Sequence, residues 1–475
     1  APESVETVES VPEDQLQITN DELQMSETSE ENNDLTAEEV LDSKNVSQEA
    51  ESTETFQSDM TLQENTEPPS TQTAKVDPLK NLKGLGGKFD VDVVSGSANF
   101  SFPLSLPGGR NGMTPALNLD YSSHNRKFDS LIGYGWALGQ SAVYRSTEKG
   151  VDRLYDRDDF TAELNGRAQE LLPINRTEGL YMAKVEQAYT RYVFQNNQWM
   201  VRDTSGNIYT FGSSEAFRQT DPADSSRVYK WMLERVQEPN GSYMTYTYVK
   251  EGGQIYPDTI RYSGYGDDPG IYKVQFVLGD RPAYTGYDRG FAVTTQKIID
   301  KIEVYTYASR SAEKIVTYDL DYTVRNNAVV HLTKITTQAG TASLPATQFT
   351  YYDGTETEPG KKIDYMKQIF HPYGAIQTFT YKPSTAYRYG EGLANKVPYV
   401  IHTLYENKIQ ELASAPVYTT KYDYIGGHYY YDLLDAFKKE YGGFHIVTVT
   451  DPEGHYTKHY FHQSENSVDG SAQGK

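Results

Sequence analysis

The chain has 475 residues and no Cys, and its net charge of −22 is unevenly spread. Residues 1–74 hold 20 acidic residues and a single base, Lys44, which gives −19; the remaining residues therefore carry −22 − (−19) = −3. A nearly neutral body argues against a nucleic-acid partner, which would need a basic stripe, and the absence of Cys excludes disulfides and thiolate metal sites.

Residues 1–80 are rich in Glu, Ser, Thr, Asn and Gln and hold one aromatic, Phe56. Such a segment cannot bury enough apolar area to offset chain entropy, so it reads as a disordered acidic tail. A surface spacer and a solvated leader without a partner are equal readings of it. Residue 1 is Ala rather than Met, which leaves open a removed signal peptide or a cut chain. No run of 18 apolar residues occurs, so no helical membrane span is expected.

From Gly84 the character changes to strand, turn, strand. Alternation is plain in Phe89-Asp-Val91-Asp-Val93, in Leu117-Asn-Leu119-Asp-Tyr121 and in Tyr246-Thr-Tyr248. Turn signals recur at Pro107-Gly108-Gly109, Asn111-Gly112, Pro239-Asn240-Gly241, Asp353-Gly354 and Glu453-Gly454. This spacing predicts an all-β protein of roughly 30 short antiparallel strands. Hydrophobic residues make up only 37% of the chain, while aromatics reach 13%, with 40 Tyr. Tyr packs its ring on a pleated face and sends its hydroxyl to a polar partner, so wide, partly polar sheets are expected. The best helix candidate is the short Leu433–Glu440. A polar stretch at Glu356–Lys362 divides a body of 81–355 from a smaller one of 362–463, and 464–475 is a polar end that reads as truncated.

Four turns align on Gly206, Gly241, Gly374 and Gly454. An acid stands three residues earlier in three of them, Asp203, Glu238 and Asp451, and His371 in the fourth. Five residues after the glycine come Phe211, Tyr246, Phe379 and His459; seven after come Ser213, Tyr248, Tyr381 and Phe461. Positions five and seven share a strand face. Each unit predicts a polar-capped turn with a glycine at positive φ, launching a strand whose aromatics need neighbours to cover them.

These units resemble the YD repeat of RHS proteins. The run Gly86-Gly-Lys-Phe89, Gly96-Ser-Ala-Asn-Phe100-Ser-Phe-Pro103-Leu-Ser-Leu-Pro107-Gly108, Pro115-Ala-Leu117-Asn-Leu119-Asp-Tyr121-Ser122, Gly133-Tyr-Gly135-Trp136-Ala-Leu138 and Arg145 resembles the opening of the SpvB-type N-terminal region. Phe370-His-Pro-Tyr-Gly374, Tyr381-Lys-Pro-Ser384, Tyr422-Asp-Tyr424-Ile-Gly426-Gly427 and Lys439-Glu-Tyr441-Gly-Gly443-Phe444 resemble the middle region of insecticidal toxin-complex B components. Lys439 and Tyr441 depart mildly from the family's Arg-Glu-Phe-x-Gly-Phe. The resemblance covers about 84–463. It implies a secreted or cell-surface virulence protein, part of an RHS/YD-type β-shell that encloses or helps deliver a C-terminal effector and is not itself an enzyme. The implied partners are the rest of its own shell, the enclosed effector and a delivery or pore-forming component. A cell-surface carbohydrate- or wall-binding module with Tyr-rich sheets is the alternative.

No catalytic, cofactor-binding or metal site is expected, and no cofactor. Glu356-Thr-Glu358 fits one element of an ADP-ribosyltransferase without the others. His445, His455, His459 and His462 cluster late, but alternate as on a strand rather than presenting zinc-binding helical spacing. Asp152, Asp156, Asp158 and Asp159 match a calcium loop by count only, lacking its glycine; ion pairs with Arg153 and Arg157 are the expectation. Gly84-Leu-Gly86-Gly87-Lys88 lacks the Lys-Ser/Thr of a phosphate loop.

Overall fold

The computed structural model describes residues 87–463 except 309–310, 326–327, 356–362, 388, 391–392, 432–436 and 438. The acidic tail, the Glu356–Lys362 stretch and the polar end fall outside the described residues. The rest is almost entirely β, with 29 strands, all antiparallel where they pair, and three short 3-10 turns. The expected helix at Leu433–Glu440 is corrected in part. Lys439 and Glu440 open the strand Lys439–Thr450, because they pair with Tyr431 and Tyr430; residues 433–436 and 438 are not described.

The strands form three main assemblies, beside a two-stranded ladder of Tyr389–Gly390 with Leu393–Ala394 and a short strand, Arg218–Asp221, paired to Asp224–Gln237. The first is an inner four-stranded sheet of Lys88–Asp92, Ser97–Pro103, Asn118–Ser122 and Trp136–Leu138. The second is a closed ring. Ala142–Arg145, Phe160–Leu164, Arg167–Asn175, Leu180–Ala183, Arg191–Gln195, Gln198–Arg202 and Ile208–Phe211 pair in succession, and Asp224–Gln237 bonds to both the last and the first of them. The third is a long sheet. It starts from the same strand Asp224–Gln237 and adds neighbours in chain order to Tyr456–Tyr460. Thr347–Tyr351 and Met366–Phe370, which flank Glu356–Lys362, pair directly, so the sheet runs across that segment.

The ring is filled by aromatic residues. Trp199 and Trp231 are fully buried, and Phe160 stands edge-on to both at 5.0 and 5.8 Å. Phe194 and Tyr181 close the cluster against Trp199.

The long sheet is built differently. It carries bulges at Asp300, Thr333 and Tyr405, and the strand it shares with the ring carries one at Glu234 in its ladder with Ile208–Phe211; at each, two residues oppose one on the preceding strand. A bulge bends its strand and disrupts the ladder beside it. In each case the carbonyl just before the bulged residue accepts a tyrosine hydroxyl from the next strand of the sheet. Tyr248 donates to Leu233 at 2.7 Å, Tyr322 to Ile299 at 2.5 Å, Tyr351 to Leu332 at 2.6 Å and Tyr424 to Leu404 at 2.8 Å. An unpaired buried carbonyl would cost about 1–3 kcal/mol. Four of the 40 tyrosines therefore have one local purpose: to close carbonyls that curvature opens.

The inner sheet packs on the same face. Phe89 stacks on Phe379 at 4.6 Å, Phe100 and Trp136 meet Phe349, and Phe102 meets Tyr318. Further hydroxyls cross the interface: Tyr262 to the Pro107 carbonyl and Tyr318 to that of Ser105, both at 3.0 Å. Tyr121 accepts the Met366 N–H at 2.9 Å. Backbone also bridges, from Leu404 N–H to the Gly96 carbonyl and from Phe444 N–H to that of Val94. Gly443 permits the second contact, since it sits at φ +75° and a Cβ there would lie 2.5 Å from Val94.

The four aligned turns share one backbone geometry. The glycine N–H donates to the carbonyl three residues earlier, in pairs Gly206/Asp203, Gly241/Glu238, Gly374/His371 and Gly454/Asp451. The N–H of that earlier residue donates to the carbonyl just after the glycine. Each glycine has φ between +82° and +94°. The Asp203 and Asp451 carboxylates accept the N–H groups of Asn207 and His455 at 2.9 and 2.8 Å, the local capping that the spacing predicts. The following aromatics Phe211, Phe379 and Tyr381 are buried.

Candidate functional site

The residues weighed from sequence do not converge. Glu356-Thr-Glu358 lies outside the described residues. His455 is exposed in its turn, with Nδ1 3.1 Å from Asp451 Oδ2. His459 faces inward beside Phe461, while His462 is exposed on the other side. Asp451, Glu453 and His455 bring three ligating atoms near one another on the surface, an arrangement that exposed acidic turns often show. Desolvation pushes the Asp451 carboxyl up, but hydrogen bonds from the His455 N–H and side chain, the His455 charge and the Glu453 N–H together outweigh it and hold the carboxyl below its usual range. Asp156, Asp158 and Asp159 each face a cation: Arg153 at 3.7 Å, Arg176, and Lys149 at 3.1 Å together with Arg157 at 3.4 Å. Lys88 opens a strand, so no helix N-terminus follows the glycines at 84–87.

Two features escaped the sequence. The first is a buried trio: Asp364 Oδ1 lies 2.9 Å from His331 Nε2 and 3.0 Å from Arg325, and His331 stacks against Tyr351 at 4.2 Å. Asp364 takes φ +70° to reach them. The trio ties the chain after residue 362 to the sheet. His331 and Asp364 are 33 positions apart, which hid the pair.

The second is a polar cleft of about 320 Å³ where the ring, the inner sheet and the long sheet meet. Tyr144, Glu163 and Lys230 reach it from one face of the ring, because Tyr144 and Lys230 are register partners and Glu163 pairs with Ala142, two positions along. Arg289 and Asp129 form an ion pair at 2.5 Å in its wall. Burial pushes the Asp129 carboxyl up, but the Arg289 guanidinium outweighs this and holds it below its usual range. Burial pulls the Lys230 ammonium down, partly offset by Glu163. Burial and then Glu163 push the Tyr144 phenol up to about 12. Gln219 donates to the Gly253 carbonyl and to Gln254, which donates to Thr295, so that wall is rigidly bonded. The buried atoms Gln140 Nε2 and Arg289 Nε have no partner. A smaller gap of about 80 Å³ lies nearby, beside Leu138, Tyr246, Tyr248 and Phe276. Only three-dimensional pairing brings these positions together.

Comparison with known proteins adds two regional matches. Residues 92–263 match the family described as Salmonella virulence plasmid 65kDa B protein, and residues 321–467 match the insecticide toxin TcdB middle/N-terminal region. The Mono(ADP-ribosyl)transferase SpvB of Salmonella choleraesuis (strain SC-B67) is 27% identical over 183 residues, which are 33% of this chain and 30% of that protein. Its counterpart in Salmonella typhimurium (strain 14028s / SGSC 2262) is 26% identical over the same length. The chain thus matches about a third of the length of these relatives. A solved structure of TcdB2-TccC3 superimposes with a TM-score of 0.50 at 16% identity, covering 78% of this chain and 22% of that one, which is a likeness of fold. The chain thus carries a SpvB-type region followed by a TcdB-type middle region on one all-β framework.

Proposed function

We propose that this chain is a wall segment of a secreted, toxin-complex-type protein. It is non-catalytic and supports or helps enclose a C-terminal effector, acting with the rest of its shell and a delivery component. The single observation that carries the reading is the uninterrupted strand order of the long sheet. Neighbours follow in chain order from Asp224–Gln237 to Tyr456–Tyr460, and the last strand pairs only with the one before it among the described residues. Such an edge accepts further strands. The succession of the two toxin-family regions supports the same reading. Within these residues the inner sheet covers one face of the wall, so the role is support for a shell that continues past that edge. The transferase activity in the relatives' name belongs to proteins matched here over 30% of their length, and it is not assigned to this chain.

Electron microscopy of the full-length gene product tests the reading. A hollow β-shell continuing from Tyr456–Tyr460 is expected; a compact solid body would overturn it. An ADP-ribosylation assay on the present chain should be blank.

A further inference from the structure

We propose that the cleft between ring, inner sheet and long sheet binds a small carboxylate-bearing molecule about the size of one sugar acid. The cleft's unmet hydrogen bonds are donors: Gln140 Nε2 and Arg289 Nε are buried without partners. Buried polar groups are nearly always satisfied, so two orphan donors on residues that line one cleft mark a wall that is short of acceptors. Lys230 adds a third donor; it forms no ion pair among the described residues, and Glu163 is the carboxylate that acts on it most strongly.

The charges set the ligand class. Lys127, Lys230 and Arg289 stand against Asp129 and Glu163, which gives 3 − 2 = +1 for the lining. That balance suits a monoanion; the two carboxylates would repel a phosphate dianion at close quarters. A volume of about 320 Å³ falls at the small end of ligand sites, which run from roughly 300 to 1,000 Å³. Tyr144 and Tyr229 offer phenols, and the bonded Gln219–Gln254–Thr295 chain holds one wall in place, as preorganised polyol sites require. The assignment is independent of the wall reading and would survive its failure.

Titration calorimetry on the purified chain with sodium glucuronate and sodium N-acetylneuraminate tests it, with glucose and inorganic phosphate as controls. Saturable binding of at least one acid at millimolar concentration is expected, with no heat from glucose. Lys230→Met should weaken that binding ~10–100-fold, the loss of one charge-assisted hydrogen bond. Glu163→Gln should tighten it, because a like charge leaves the cleft; circular dichroism checks that each variant folds. Silence with both acids, binding of phosphate alone, or affinity unchanged in both variants would overturn the proposal.

Discussion

The ring and the long sheet share one strand, Asp224–Gln237, and use aromatic residues for opposite purposes. In the ring every strand has two neighbours, and the interior is closed by Trp199, Trp231, Phe160, Phe194 and Tyr181 packed ring on ring. Here an aromatic residue is valued for area. The long sheet stays open, and its bulges at Asp300, Thr333 and Tyr405, with the one at Glu234 on the shared strand, each disrupt the ladder. There a tyrosine is valued for its hydroxyl, which closes the carbonyl beside each of these four bulges. Closing a sheet satisfies its edges by topology; curving an open one requires side chains to satisfy what the ladder drops.

The largest test of that contrast is alkaline pH. Burial raises the phenols of Tyr248, Tyr322, Tyr351 and Tyr424 well above the ordinary value of 10.0, with neighbouring tyrosines or carboxylates adding to the effect. Their folded pKa exceeds the unfolded one, so the stability they add is complete below pH 10 and is lost as pH rises beyond it. Tyrosinate absorbance and amide exchange followed together should show these phenols ionising only as the long sheet opens. Free titration near pH 10 with the sheet intact would break the comparison.

Trp231→Ala addresses the ring. Removing a fully buried indole should cost about 3–5 kcal/mol in denaturant unfolding, with near-UV circular dichroism lost around Trp199. Gly443→Ala addresses the joint between inner and long sheets. A methyl 2.5 Å from Val94, on a backbone at φ +75°, should cost about 2–4 kcal/mol and expose the Phe444 amide to exchange. Tyr424→Phe keeps the ring and removes the hydroxyl. The Leu404 carbonyl is left unpaired, so a loss of about 1–3 kcal/mol is expected, with faster exchange near Tyr405. The smallest effect is expected for Asp203→Ala, about 1 kcal/mol, because the Gly206 turn keeps its backbone bonds and loses only the carboxylate's bonds to Asn207 and Tyr209. Equal losses for Tyr424→Phe and Asp203→Ala would blur the distinction between closing a bulge and capping a turn.

Much of the fold was legible because a period of two leaves a mark in every strand. Leu119 and Tyr121 are buried while Asn118 is exposed, as the alternation in Leu117-Asn-Leu119-Asp-Tyr121 requires. The four glycine turns were legible for a similar reason: their geometry depends on residues no more than five apart. The helix suggested at Leu433–Glu440 failed at its end, where Lys439 and Glu440 found strand partners in Tyr431 and Tyr430. The cleft was not legible, since Tyr144, Glu163, Lys230 and Arg289 lie on separate strands and loops. Nothing in the local pattern of Lys230 says that its neighbour is Glu163 rather than solvent.

The sequence by itself determined the β class, the turn chemistry and the family likeness, all of which rest on short-range spacing. The tertiary structure alone decided which strands close into a ring and where bulges fall. It also decided that a given tyrosine hydroxyl meets a carbonyl such as that of Leu404, and that Gln140 and Arg289, each with an unmet buried donor, line one cleft. Those outcomes depend on register between strands distant in the chain, and register is fixed by the packing of whole sheets rather than by any single segment.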